Sequence, residues 1–279
     1  MAAPNVIRSP AGLRWIQLLE IAADGYPAAT STTVYEGVQL QGAKTLGLED
    51  PAPREIVHRG DDRPYATQTL PPSDPVSGSI TTSKINDTVD ALMTNKISLL
   101  QGEAYLMGFG TDRRGEEVDV ILLAFRQART TDIGSASLGD PVWDGIVLNK
   151  TRVIPNQPGM GEADEDTTYT VVPTFTSKYP WGLDFVEATD GYERAQGFRI
   201  VTQYKPWFCA WQGDNSTTEF TFHASRPAQA TTKIHGVWVD GAVQTGGGVD
   251  FTEATTGITF EAASTPGTDA NIFCFYEFD

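Results

Sequence analysis

Residues 234–260 read IHGVWVDGAVQTGGGVDFTEATTGITF, a stretch in which apolar and polar side chains alternate between glycine-containing turns. Alternation with a period of two over a few residues is the pattern of a β-strand that buries one face. Working outward, short runs of Thr, Val, Ile, Tyr, Phe and Trp, broken by Gly, Pro and Asp, recur along the whole chain. The sequence therefore predicts an all-β protein.

One segment, residues 82–96, has the periodicity of a helix instead. Its apolar residues Ile85, Val89, Leu92 and Met93 fall at positions i, i+4, i+7 and i+8, which lie on one helical face. We predict a single α-helix over about 84–96 that packs this face against a sheet.

The length of 279 residues fits one large β domain with a small addition. A polar, turn-prone cluster at 212–216 follows the aromatic run Trp207–Trp211, and we place a domain boundary there. The prediction is a β domain over 1–212 and a small β-sandwich-like module over 213–279. We expect removal of residues 215–279 to leave self-assembly intact.

Residues 49–75 are rich in Pro and Asp, and we expect them to form a long, mostly irregular loop that contains one short strand. Long loops inside compact domains are usually functional, so this one is a candidate for reaching a neighbouring subunit. Its charged centre contains the candidate contact residues Arg59, Asp61, Asp62 and Arg63. The triplet Arg-Gly-Asp at 59–61 is too short to establish adhesion.

A second candidate contact is formed by Arg113 and Arg114. They lie between the predicted strands Ala104–Phe109 and Val118–Gln127, at the expected tip of a β-hairpin.

The net charge of −16 arises from 36 acidic and 20 basic residues. A protein that grips nucleic acid needs Lys and Arg to neutralise phosphates, so the charge argues against that class. It is compatible with a passage through which DNA slides, because a like-charged wall repels the backbone. An acidic surface that serves solubility explains the charge equally well.

Residue patterns typical of catalysis or cofactor binding are not evident. The three histidines, His58, His223 and His235, belong to no nucleophile or metalloprotease motif. The acidic run 162–166 is a poor match to a calcium loop, and Gly246–Gly248 precedes no helix that could help to hold a phosphate. We expect no enzyme activity, no metal and no cofactor.

Cys209 and Cys274 both stand in aromatic runs, which favours buried, unpaired thiols that act as small hydrophobic residues. The six tryptophans are scattered and mostly embedded in apolar strands, so packing explains them at least as well as a sugar-binding face.

No apolar run reaches the roughly 18 residues that a membrane helix requires. Residues 1–10 lack a basic start followed by an apolar run, so we expect synthesis in the cytoplasm without a signal peptide.

Two phrases and the order of elements carry a resemblance to a known family. The phrases are SITTSKINDTVDAL at 79–92, which runs from a strand into a helix, and GEADEDTTYTV at 161–171. With the long loop in the first third, the hairpin and the appended β module, residues 10–210 resemble the tail-tube, or major tail, proteins of long-tailed bacteriophages.

The resemblance implies a two-sheet β-sandwich or barrel with one flanking helix, which assembles into six-membered rings that stack as a tube. The loop at 49–75 and the Arg113/Arg114 hairpin would reach the adjacent ring, acidic residues would line a channel for DNA, and the C-terminal module would sit outside. The expected location is the virion. The expected partners are copies of the chain and other tail proteins: tape measure, distal tail and terminator.

Two alternatives stay open. The chain could be another β protein of a virion or injection machine, such as a distal-tail, capsid-decoration or secretion-tube component. It could also be a carbohydrate-binding or adhesion module. Rings or tubes with a central hole would support the tail-tube interpretation, whereas dispersed monomers that bind glycans would support the carbohydrate-binding or adhesion module.

Overall fold

A computed structural model describes part of the chain. The described residues are 6–7, 15–22, 25–49, 54–60, 63–70, 77–83, 89, 93, 99–101, 104–106, 118–130, 141–156, 166–173, 184–188, 191–194 and 197–279. Within them strands dominate and every sheet is antiparallel, so the all-β prediction is confirmed.

The strands are numbered in chain order. In the first half they are β1 Val6–Ile7, β2 Trp15–Glu20, β3 Val38–Leu40, β4 Ala43–Glu49, β5 Arg54–Gly60, β6 Arg63–Leu70, β7 Ser77–Thr82, β8 Leu99–Gln101, β9 Ala104–Leu106, β10 Asp119–Thr130 and β11 Pro141–Pro155. In the second half they are β12 Thr167–Pro173, β13 Asp184–Ala188, β14 Gly191–Arg194, β15 Gly197–Thr202, β16 Lys205–Asp214, β17 Glu219–Thr221, β18 Ile234–Val239, β19 Ala242–Val243, β20 Phe251–Ala254, β21 Gly257–Phe260 and β22 Thr268–Phe278. Short 3₁₀ helices span Thr231–Lys233 and Ala262–Ser264.

The largest sheet has nine strands in the order β3-β2-β10-β11-β12-β7-β4, with β1 beside β10 and β15 beside β11. Its two edge strands, β3 and β4, are separated in sequence only by Gln41 and Gly42. Three Cα steps of about 3.8 Å keep Leu40 within about 11 Å of Ala43. The sheet must therefore curl until its two edges meet at this corner, where Gly42 supplies a positive φ of 71°.

The central strand β10 of the curled sheet is buried on both faces. All residues from Val120 to Phe125 are buried, as expected for a continuous apolar run. Val120, Leu122 and Ala124 belong to the core inside the curl, while the side chains between them belong to a second core on the outside.

The predicted helix contributes to the inner core. Val89 and Met93 are α-helical and buried, and they pack with Ile16, Leu18 and Ile80. The remaining positions of the predicted helical face, Ile85 and Leu92, lie outside the described residues.

The C-terminal part forms a sandwich. One sheet has four strands in the order β16-β22-β18-β19, and the other has three in the order β17-β21-β20. Aromatic side chains fill the space between them: Phe222 stacks on Tyr276 with ring centroids 4.2 Å apart, and Trp211 lies 5.9 Å from Phe220.

The opposite face of the four-stranded sheet carries Phe208, Phe273 and Phe275, and the ring centroid of Phe208 lies 5.1 Å from that of Phe273 and 4.9 Å from that of Phe275. These rings join the outer core of the curled sheet in one continuous cluster with Leu123 and Phe125. The layers are therefore helix, curled sheet, four-stranded sheet and three-stranded sheet.

The boundary predicted at residue 212 falls inside a strand and is corrected. β16 pairs with β22 from Lys205 opposite Phe278 to Asp214 opposite Thr268, so the aromatic run belongs to the sandwich. The polar cluster that indicated a boundary is only the turn between β16 and β17. Polar turn residues mark a break in a strand, and such breaks occur within domains as well as between them.

The loop predicted at 49–75 is also corrected. β5 and β6 pair as a hairpin from Arg54 opposite Leu70 to Gly60 opposite Arg63. The sequence did not indicate the second strand because that strand contains Pro64, and proline cannot donate a hydrogen bond to a neighbouring strand. In the structure Pro64 lies where the register of the hairpin shifts.

The hairpin predicted between Ala104–Phe109 and Val118–Gln127 has different partners. β9 pairs with β8, whereas β10 pairs with β2 on one side and β11 on the other. A strand has only two edges, so β10 has no edge left for β9 between Val120 and Phe125. Arg113 and Arg114 lie outside the described residues.

Deleting residues 215–279 is expected to unfold or aggregate the protein, contrary to the sequence-based expectation. The deletion removes β22 and uncovers Trp207 and Trp211, both fully buried. Solubility and near-ultraviolet circular dichroism of the 1–214 fragment measure this. A soluble fragment that unfolds cooperatively would contradict the continuity of the layers.

The turn after β16 predicts a specific pH dependence. The carboxylate of Asp214 accepts hydrogen bonds from the backbone N–H groups of Thr217 (2.6 Å) and Ser216 (2.9 Å) and from the Thr217 hydroxyl (2.8 Å). These bonds hold the pKa of Asp214 well below its ordinary value. Its stabilisation is therefore present above the unfolded pKa of about 3.9 and is lost as the pH falls further.

We expect the stability difference between the native chain and Asp214→Ala to be constant near neutral pH and to shrink below about pH 4. Urea denaturation across the acid range measures it. Glu219→Ala, at an exposed carboxylate on the neighbouring strand, is the control. A difference that grows on acidification would refute the assignment.

Candidate functional site

The outer edge of β16 is covered by the extended segment 31–36. Tyr35 and Ala210 exchange both backbone hydrogen bonds, at 2.8 and 2.9 Å, and the Gln212 N–H donates to the Ser31 carbonyl at 2.8 Å. The N-terminal part of the chain thus completes an edge of the C-terminal sandwich. We call this contact the β16 junction.

At Phe208 the edge of β16 is paired with the side-chain amide of Gln17 instead of with backbone groups. Its amide nitrogen donates to the carbonyls of Phe208 (2.7 Å) and Glu36 (2.9 Å), and its amide oxygen accepts from the Phe208 N–H (3.2 Å). Gln17 is fully buried on β2. Its side chain therefore acts as an inserted peptide group between the curled sheet and the sandwich.

Glu36 ties the junction to the four-stranded sheet and to the connection between β17 and β18. Its carboxylate accepts from the Trp207 indole N–H at 2.8 Å and forms a close ion pair with Arg226. The Arg226 guanidinium also lies 4.8 Å over the Trp207 ring. The Glu36 side chain is only 11% exposed, and its charge is both hydrogen-bonded and paired.

A second buried carboxylate holds the crossover from β15 to β16. Glu277 is 2% exposed, and it accepts from the Tyr204 backbone N–H and contacts His235 Nε2, both at 2.6 Å. Lys205 lies over the rings of Trp143 and Phe278. Glu277 and Lys205 therefore each have partners within the chain, which is typical of a structural connection.

The thiols are structural as well. Cys209 and Cys274 are free, fully buried and directly opposite each other on β16 and β22, which confirms the prediction of buried, unpaired cysteines. Burial, together with the hydrogen bond to Cys274, raises the pKa of the Cys209 thiol. Because the reactive form is the thiolate, Cys209 is held in its inert form.

The phenol of Tyr276 is likewise buried and held in its protonated form. Burial raises the pKa of its phenol far above the ordinary value, and the hydroxyl donates to the Arg226 carbonyl at 3.1 Å.

The histidines are not brought together. His223 is exposed and bonds to Ser225 at 2.7 Å, His235 contacts Glu277, and His58 lies on β5 in a separate sheet. Among the described residues no group of three or more His, Cys, Asp or Glu side chains could hold a metal ion.

The predicted contact residues are partly placed. Arg59 and Arg63 lie at the closed end of the β5–β6 hairpin. Asp61 and Asp62, like Arg113 and Arg114, lie outside the described residues.

The glycine run Gly246–Gly248 covers a strand edge. Phe251, at the start of β20, accepts a backbone bond from Gly248 (2.9 Å) and donates one to Thr245 (3.4 Å). Gly247 and Gly248 have positive φ values of 73° and 82°, which explains the glycines.

The tryptophans within the described residues are occupied by packing. Trp207, Trp211 and Trp238 are buried, while Trp15 and Trp143 are partly buried against the outer core. Trp181 lies outside the described residues. Stacking on a sugar requires an exposed ring face, which these five rings do not present as a platform.

β4 is a long strand at one edge of the curled sheet. β4 pairs with β7 only, and in the part of the chain that the structure describes no strand pairs with its other side. Most of β4 is exposed or half-buried, and its Lys44 forms an ion pair with Asp166 at 2.5 Å. An open edge of seven residues can pair with a strand from another chain.

Comparison of the chain with protein-family models, with curated proteins and with solved structures finds no match. In the described portion no helix is long and apolar enough to cross a membrane.

Sequence reasoning missed Gln17 and Glu36. A signal for Gln17 was present, since it is the one polar residue inside the apolar run WIQLL at 15–19. A polar residue in a buried strand must find hydrogen-bond partners. The pattern could not show that the partner lies 191 residues away.

Gln17→Leu is expected to lower the free energy of unfolding by about 2–4 kcal/mol, because it leaves buried backbone groups of Phe208 and Glu36 without partners. Denaturant titration measures it. Gln39→Leu is the matched control, since Gln39 lies directly opposite Gln17 on β3 and is only partly buried. Equal effects of the two substitutions would refute the role of the Gln17 amide.

Proposed function

We propose that this chain is a virion structural protein, a subunit of a bacteriophage tail tube that assembles with copies of itself into stacked rings. The observation that carries the proposal is the curled antiparallel sheet with an open edge on β4. A protein that works as a monomer normally covers or shortens such an edge, or places charges on it. β4 has seven residues, and its Lys44 is paired with Asp166 of the same chain. Completion by another copy removes the edge.

The resemblance at 79–92 and 161–171 supports the same function. The second phrase leads into β12, which pairs with β7, the strand that runs into the first phrase. The strand residues of the two phrases therefore lie side by side in the curled sheet, where β7 lies between β12 and β4.

The charge supports a conducting channel. With a net charge of −16, a ring of copies would present a wall that repels DNA phosphates and offers few sites for adhesion. Two of the few bases near the C-terminus are already engaged: Arg226 pairs with Glu36, and Lys233 bonds to Gln203. In this proposal DNA passes without specific binding.

The sandwich would form the outer part of each subunit. The β16 junction fixes it to the curled sheet through backbone bonds and the Gln17 amide, so it would move with the ring as one body. Its role is then part of the wall's rigidity rather than a dispensable attachment.

Electron microscopy of the purified protein tests the proposal. We expect rings or tubes with a central hole, formed more readily at high salt because salt screens the repulsion between acidic copies. Rings that never stack would favour another component of an injection machine. Dispersed monomers that bind glycans would overturn the proposal in favour of an adhesion module.

A further inference from the structure

The sheet edges of the sandwich are closed to strand addition from outside. Segment 31–36 covers β16, and the loop 245–248 covers the start of β20. At the other edge of the four-stranded sheet β19 has only two residues, and the Gln244 N–H occupies the Val237 carbonyl of β18. Very short or covered edges are the usual protection against pairing with another chain.

Within the described residues no strand pairs with the outer edge of β4, and no neighbouring atom there explains the glycine at position 47. A Cβ built on Gly47 would meet no described atom within 4 Å, and its φ is not in the left-handed range. By contrast, a Cβ on the neighbouring Gly78 would lie 2.2 Å from the Gly47 carbonyl oxygen. Glycine in a strand costs stability, and it often marks a place where another backbone approaches closely.

The β5–β6 hairpin is a candidate partner for the open edge of β4. Within the described residues it pairs with no other strand, and a two-stranded hairpin alone is only marginally stable in water. A third strand on its edge would stabilise it. β5 contains no proline, so its outer edge retains every N–H donor.

The two elements match in length and charge. β4 and β5 each have seven residues. Residues 54–70 contain three arginines and three acidic residues, so this hairpin carries no net charge in a chain of net charge −16. A neutral segment can approach an acidic copy with little electrostatic repulsion.

We propose that the outer edge of β4 receives the β5–β6 hairpin of a second copy of this chain, which adds β5 to the curled sheet next to Gly47. This inference rests on the proposed self-assembly and names the surface through which it occurs. Each copy then both donates a hairpin and accepts one. Such a head-to-tail contact closes a ring or continues a stack.

The first experiment compares assembly of the native chain with that of the double variant Thr45→Lys/Gly47→Lys. Both positions are exposed on β4, and lysine on an edge strand opposes pairing. The control is Thr221→Lys/Thr259→Lys, which adds the same charge at exposed positions of the three-stranded sheet. We expect the β4 variant to raise the critical concentration for assembly about tenfold or more, and the control to leave it within about twofold.

The second experiment maps the contact. A photoreactive benzoylphenylalanine replaces Thr45, which is exposed on β4 and already carries a side chain, and crosslinked peptides are identified by mass spectrometry after irradiation of the assembled protein. We expect crosslinks from position 45 to residues 54–70 of another copy. Mixing isotopically labelled and unlabelled chains shows that the crosslink joins two copies.

The outcomes separate the two proposals. If the native chain stays monomeric at all concentrations and salt conditions, the proposed self-assembly and this inference both fail. If it assembles, but the β4 variant assembles equally well or the crosslinks map outside 54–70, only the assignment of β4 and the hairpin is overturned. Thermal unfolding of each variant as a monomer confirms that lost assembly is not lost folding.

Discussion

The fold depends on the hydrogen bonds that pair the outer edge of β16. β16 lies at the margin of the four-stranded sheet, and its outward backbone groups at Phe208, Ala210 and Gln212 would have no partners within the protein if the sandwich stood alone. They are paired instead with the Gln17 amide, Tyr35 and Ser31. Because unpaired buried backbone groups are costly, this junction makes the two parts of the chain one folding unit.

The same constraint organises the cores. Once β16 is held against the curled sheet, the four-stranded sheet is buried on both faces, with Phe208 and Phe275 toward β10 and Trp211 and Tyr276 toward the three-stranded sheet. The curled sheet is likewise buried on both faces because Val89 and Met93 of the helix join its inner core. β10 and β22 therefore carry unbroken apolar runs at 120–125 and 272–276, while β4 at the sheet edge is mostly exposed or half-buried.

Some strand edges of this protein are covered by other parts of the chain, and others have no partner strand within the described residues. In the sandwich, backbone bonds from the 31–36 segment and the glycine loop at 245–248 occupy positions that another chain could use. Among the described residues, the outer edge of β4 has no partner strand and the adjacent hairpin lacks a third strand. In the proposed self-assembly through β4, one contact between copies would satisfy both elements.

The sequence by itself determined the all-β class, the helical positions of Val89 and Met93 and the burial of Cys209 and Cys274, because each is written in local periodicity or composition. Only the tertiary structure decided that β16 belongs to the sandwich, that residues 54–70 form a hairpin, and that Gln17 and Glu36 join the two parts. Periodicity records which face of a strand is buried but not which edge meets which partner. Those partners are backbone groups as many as 191 residues apart, and backbone groups are the same in every residue except proline.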